Sequence, residues 1–193
     1  MADKGDVAGS HDYAGIGRFA GSVITGYDVK DFDAAVIQAA AFKDGKAKDQ
    51  RRLEGRVTRI AYKASAGPSI IEVSRNYEQQ LIKAGFKTLL TCDTDACGGI
   101  PFSENVSALP APQMWLDGFN YHYFSARKQD GGHDTYASVA VSKNNDEIYA
   151  QLTVVQINTM DDKMVDAAAM SKGLGDKGHI ALYGIYFDTD KTT

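Results

Sequence analysis

Leu53-Glu-Gly-Arg-Val-Thr-Arg-Ile-Ala-Tyr-Lys63 alternates with the two-residue period of a strand. Glu54, Arg56, Thr58, Ile60 and Tyr62 take one face, and Leu53, Gly55, Val57, Arg59 and Ala61 take the other. Arg56 and Arg59 therefore fall on opposite faces and read as ordinary surface or edge arginines. After the turn Ala64–Pro68 comes Ser69-Ile-Ile-Glu72, a capping box with a serine N-cap and a glutamate three residues on. Ile70, Val73, Tyr77, Leu81 and Ala84 follow at helical spacing as one apolar stripe. Gly85 stands where a helix stops, with Phe86 to supply the closing contact. Lys87–Cys92 then returns to strand character. Leu53–Cys92 thus reads as strand, helix, strand, and if both strands lie in one sheet they run parallel.

Working outward, Gly15, Gly17, Gly21 and Gly26 argue against helix before residue 28, leaving a short strand near Ser22–Val29. Phe32–Phe42 does not separate strand from helix, and Lys43–Arg52 reads as a charged surface loop. Cys97–Gly118 is rich in Gly and Pro. Its apolar residues Ile100, Phe102, Leu109, Met114, Trp115 and Leu116 are expected to fold back over the core. Phe119–Lys128, Asp134–Lys143 and Glu147–Asn158 alternate well, with turn signals at Gly131-Gly132 and Asn144-Asn145-Asp146. They predict an antiparallel meander. A helix is expected over residues 160–178, followed by a final strand.

The fold class expected is α+β: a mixed, mostly antiparallel sheet packed on one main helix, with a second C-terminal helix and strand. Residues 1–14 read as a flexible tail, 15–177 as the domain, and 178–193 as a terminal strand.

The net charge of −4 gives no basic footprint, so nucleic acid is not an expected partner. No apolar run has the length of a membrane span, about 18 residues or more. Cys92 and Cys97, in Thr91-Cys-Asp-Thr-Asp-Ala-Cys-Gly-Gly99, are either two reduced thiols or a short-loop disulfide. The spacing fits zinc and C-x-x-C redox chemistry poorly, and the disulfide, which needs an oxidising compartment, is preferred.

No constellation supports naming a reaction. Asp93 and Asp95 lack the further ligands of a calcium loop, and so do Asp188 and Asp190. His11, His122, His133 and His179 share no metal-ligand spacing. Asn76, Tyr77 and Glu78 read as core and surface of the helix rather than as a catalytic cluster. Gly173-Leu-Gly-Asp-Lys-Gly178 matches G-x-G-x-x-G but closes a helix instead of opening one, which is the wrong setting for a dinucleotide. No catalytic residue, metal or cofactor is expected.

Gly21-Ser-Val-Ile-Thr-Gly-Tyr27, Leu53-Glu-Gly-Arg-Val-Thr-Arg59, Asn76-Tyr-Glu-Gln-Gln-Leu81, Ala84-Gly-Phe86 and Gly178-His-Ile-Ala-Leu-Tyr-Gly-Ile-Tyr-Phe-Asp188 together resemble OmpA-family bacterial envelope proteins. The resemblance is to an uncharacterised N-terminal domain that precedes an OmpA-like peptidoglycan-binding domain. It covers about Gly21 to Lys191 and implies export and a periplasmic or outer-membrane-associated location, which fits the disulfide reading. Residues 178–193 would then be the start of a truncated OmpA-like domain. Peptidoglycan binding is implied for a longer parent, because the wall-contacting residues of such domains lie beyond Thr193.

The leading expectation is a non-enzymatic envelope module that binds a partner or a cell-wall component such as peptidoglycan. A second is a periplasmic domain for an apolar or aromatic ligand, with Phe102, Trp115, Tyr121 and Tyr123 lining the pocket. A third is a hydrolase of unknown chemistry. The apolar terminal strand must be buried, either in this sheet or in a dimer through its edge.

Overall fold

A computed structural model describes residues 5–64 and 67–161. The architecture belongs to the first of two units, Met1–Met160. Its frame is one six-stranded sheet in the order β1-β2-β6-β5-β4-β3. The strands are β1 (Ser22–Gln38), β2 (Gln50–Ala64), β3 (Lys87–Asp93), β4 (Tyr121–Asp130), β5 (His133–Asn144) and β6 (Glu147–Ile157). Helix α1 (Ile70–Lys83) links β2 to β3, and two short helices, α2 (Thr94–Cys97) and α3 (Gly99–Ser103), follow β3.

This architecture corrects the expected fold class. Every neighbouring pair in the sheet is antiparallel. Strands hold 48% of the described residues and helices 15%, so the molecule is mostly antiparallel sheet and not a mixed α+β sheet packed on one main helix. The error lies in one step. β2 and β3 do run in the same direction, but they are not neighbours, because the meander β4-β5-β6 enters the sheet between them. With three strands interposed, each junction becomes antiparallel. The expected helix over 160–178 and the final strand lie outside the described residues, apart from Met160 and Asp161.

The meander forms where its sequence alternates. β4 and β5 turn through Gly131 and Gly132, both at positive φ, and β5 and β6 turn through Asn145 at φ 55°. α1 starts at Ser69, whose hydroxyl accepts from the Glu72 amide at 3.1 Å. It ends with Gly85 at φ 91° and Phe86 N–H donating back to the Leu81 carbonyl. Val73, Tyr77 and Leu81 bury the helix's apolar stripe against Phe124, Val139, Val141 and Leu152. Each such side chain contributes roughly 1.5–3 kcal/mol by burial, so Leu81→Ala is expected to cost about 2–5 kcal/mol.

The sheet's other face carries a second cluster: Cys92, Cys97, Phe102, Met114, Tyr121, Tyr123, Ala140 and Tyr149. Leu109 and Leu116 pack on it, so the Gly- and Pro-rich segment does fold back as its apolar residues require. One buried polar side chain fastens it with two hydrogen bonds. Gln151 Nε2 donates to the Ser107 carbonyl at 2.8 Å, and its Oε1 accepts from the Leu109 amide at 2.7 Å.

β1 is much longer than its sequence suggests. Register shifts between Ile24 and Gly26 and between Lys30 and Asp33 break its alternation. Arg59 clamps the second shift: Nη1 binds Asp28 at 2.9 Å and Asp33 at 3.1 Å, and Nη2 donates to the Ala34 carbonyl. The Ala34 backbone and Arg59 hold the Asp33 carboxyl below the usual carboxylate range. Beyond this point β1 reaches β4, although three strands lie between them in the sheet order. The Gln38 amide donates to the Tyr123 hydroxyl at 3.0 Å, and Ser125 Oγ donates to the Gln38 carbonyl at 2.6 Å. Outward-facing amides of an edge strand are thereby satisfied by side chains.

Residues 1–14, expected to be a tail, are described from residue 5, and these lie against the sheet. Asp6 accepts from the Ile24 amide at 2.7 Å, and Arg18 bridges Asp6 and Asp12.

Candidate functional site

At the end of the sheet where β3 and β5 stop, β4 and β6 begin and α1 starts, an open cleft of about 550 Å³ is lined by Pro68, Ser69, Ile70, Ile71, Asp93, Thr94, Asn120, Tyr121, Lys143 and Ile148. Its floor is aliphatic. Its charged groups are one carboxylate, Asp93, and one ammonium, Lys143.

Behind Asp93 lies a buried polar chain. His122 Nδ1 is 2.7 Å from Asp93 Oδ1, and His122 Nε2 is 2.7 Å from Glu78 Oε1. Thr91 donates its hydroxyl to the same Glu78 oxygen at 3.1 Å, and Arg75 pairs with the other Glu78 oxygen. The His122 side chain is 2% exposed and that of Asp93 is 68% exposed. The chain therefore runs from the surface of α1, through the interior, to the cleft wall. A neutral imidazole can donate to only one of its two carboxylates, whereas the imidazolium donates to both.

The elements explain the meeting. Glu78 is on the α1 face turned to the sheet, Asp93 ends β3, and His122, the second residue of β4, lies directly opposite it in register. Thr91 lies 3.3 Å from His122 Nε2, a distance that invites comparison with a hydroxyl–histidine–carboxylate triad. The comparison fails on hydrogen bonding. The Thr91 hydroxyl donates to Glu78, and Nε2 faces that same carboxylate, so no free base is left to activate the oxygen. Among the described residues no group of three or more His, Cys, Asp or Glu could hold a metal ion. Asp93 and Asp95 are thus not joined by further ligands there.

Cys92 and Cys97 form a disulfide, with Cα atoms 5.1 Å apart. It closes the turn that carries Asp93 and Thr94. The Cys97 carbonyl accepts from the Phe42 amide at 2.7 Å, which ties the turn to the segment after β1.

The four residues proposed to line an apolar pocket separate. Phe102, Tyr121 and Tyr123 come together and are fully buried: Phe102 stacks on Tyr121 at 6.1 Å and meets Tyr123 edge-on at 5.0 Å. Tyr121 donates its hydroxyl to the Gly99 carbonyl at 2.9 Å. Burial pushes the Tyr121 hydroxyl well above its ordinary pKa, with Asp95 adding to the shift, and burial takes Tyr123 up to about 12. The three rings fill the space that a ligand between them would need. Trp115 is 42% exposed and stands outside this cluster.

The sequence reading missed Glu78 and His122 as a pair. The available signal was His122 on the strand face it shares with Phe124 and Ala126, a polar ring beside apolar neighbours.

No protein-family model matches this chain, and no curated protein matches it. Among the described residues no helix is long and apolar enough to cross a membrane.

Proposed function

We propose that this chain is a non-enzymatic module of the bacterial cell envelope, which holds a cell-wall component in the cleft walled by Asp93, Asn120, Tyr121 and Lys143. The observation that carries the reading is the anchoring of Asp93: a carboxylate exposed in an open cleft is held in place by a buried histidine, itself held by buried Glu78. A fixed, solvent-facing hydrogen-bonding group over an aliphatic floor suits recognition. The disulfide supports a location outside the reducing cytosol. The resemblance to OmpA-family envelope proteins points the same way.

The apolar-pocket reading has less support, because the rings meant to line the pocket occupy one another's space. The hydrolase reading has less as well, because the Thr91 hydroxyl beside His122 has no free base.

Co-sedimentation with purified peptidoglycan sacculi tests the proposal. The chain is expected to pellet with the sacculi, and Asp93→Asn to pellet less. A chain that stays in the supernatant at every sacculus concentration would overturn binding to the wall.

A further inference from the structure

We infer that the cleft takes a neutral, polyhydroxylated ligand, an oligosaccharide; this deepens the reading of the cleft as the binding site and rests on it. The argument is one of matching groups. Asp93 Oδ1 is engaged by His122, while Oδ2 makes no hydrogen bond among the described residues. The Asn120 side-chain amide likewise makes none there, and it offers two donors and an acceptor. Lys143 Nζ is 3.7 Å from Asp146, a loose contact that leaves donors to spare. The free groups of the cleft are therefore an acceptor, a mixed donor–acceptor and a donor.

Sugar hydroxyls both donate and accept, so one ring can serve all three. A phosphate-rich ligand would face the Asp93 carboxylate, and a polycation would face Lys143. A lipid chain would bury those polar groups unpaired, at a cost of about 1–3 kcal/mol each.

The apolar side matches too. Ile70, Ile71 and Ile148 supply a floor for the C–H face of a pyranose. Phe119, next in the chain to the lining residue Asn120, is 77% exposed. The Asp117 carboxylate accepts from the Phe119 amide at 2.9 Å and fixes that turn.

The test is a two-dimensional 15N–1H titration of the disulfide-intact chain. The probes are tetramers of N-acetylglucosamine and of glucose, with free lysine as a zwitterionic comparison. Shifts are expected at residues 69–71, 93–94, 119–121 and 143–148, and Asp93→Asn and Phe119→Ala should each weaken the apparent Kd by about tenfold. Both side chains are exposed, and unchanged spectra elsewhere will show that the variants fold. Lysine shifting the same resonances where the sugars do not would overturn the inference. Sacculi that pellet the chain without any response to the tetramers would overturn the saccharide and leave the wall reading standing. Tetramers that bind a chain the sacculi never pellet would support the saccharide and overturn the wall. Failure of both probes would overturn both.

Discussion

His122 Nε2 lies 2.7 Å from Glu78 Oε1, and both side chains are buried between α1 and the sheet. Removing one member of a buried hydrogen-bonded pair leaves the other without part of its solvation. Glu78 would keep Arg75 and the Thr91 hydroxyl. His122→Ala should therefore cost less than a fully orphaned charge, about 2–3 kcal/mol. Urea unfolding should show a lower midpoint with an unchanged slope. Asp93→Asn, at the exposed end of the chain, should cost under about 1 kcal/mol. Equal midpoints for His122→Ala and the parent would show that the buried chain adds nothing to stability.

Gly55 sits in β2 at φ 155°, where a Cβ would lie 2.1 Å from the Gln156 carbonyl oxygen and 3.0 Å from the Asn158 amide nitrogen. Both obstacles are backbone, so neither can swing aside. Gly55 also pairs with Asp33 on β1 and with Ile157 on β6, which places it at a junction of three strands. Gly55→Ala should cost several kcal/mol, or prevent folding. Gly131→Ala makes a control: its φ is 56° with nothing within 4 Å, so only the left-handed backbone is penalised, at about 1 kcal/mol. Thermal melts of the two variants should separate widely, and similar melts would refute the steric account.

How far the fold was legible follows from how local each signal is. The serine cap at Ser69 and the stop at Gly85 are local to the two ends of α1, and both are observed as read, although the Glu72 side chain does not complete a capping box among the described residues. The meander strands alternate without interruption and turn tightly, so their existence and pairing could be read directly. β1 could not, because two register shifts break its period and turn one strand of 17 residues into a short strand and an ambiguous run. The pairing of β2 with β6 joins residues as far apart as Gly55 and Ile157, and nothing near either residue announces it. The same limit hid the candidate site. Glu78 looked like the solvated face of a helix, Asp93 like a weak calcium loop and His122 like one of four scattered histidines. Only the register of β3 against β4, with α1 above, makes them one chain of hydrogen bonds.

The Cys92–Cys97 bridge spans a sequence separation of 5. Closing so short a loop restrains the unfolded chain modestly, by about 2 kcal/mol. Its local effect should be larger, because it fixes the turn between the buried Cys97 and the cleft residue Asp93. The double variant Cys92→Ser/Cys97→Ser should remain folded with a midpoint lowered by that amount. Its amide hydrogens over residues 93–98 should exchange faster than those of the meander. A thiol titration of the denatured, unreduced parent should find no free thiol. Two titratable thiols would remove the bridge, and with it the main support for an oxidising compartment.

Alkaline titration probes the interior from another side. Burial raises Tyr62, Tyr77, Tyr121 and Tyr123 above the ordinary value of 10.0, with Tyr123 at about 12. A group whose folded pKa is raised lends stability that is complete below its unfolded pKa and is lost as pH rises through the folded one. The tyrosine contribution should thus be intact at neutral pH and begin to fall above about pH 10. Tyr123 alone accounts for on the order of 3 kcal/mol by the time its folded value is passed. Absorbance near 295 nm should show the exposed tyrosines among the chain's 10 ionising first. The buried ones should follow in a steep step that coincides with loss of the circular dichroism of the sheet. Tyr123→Phe removes the hydroxyl that accepts from the Gln38 amide and should lower stability at neutral pH by about 1 kcal/mol. It should also flatten the alkaline decline. A smooth titration of all the tyrosines near pH 10, with the sheet intact, would contradict the burial of these rings.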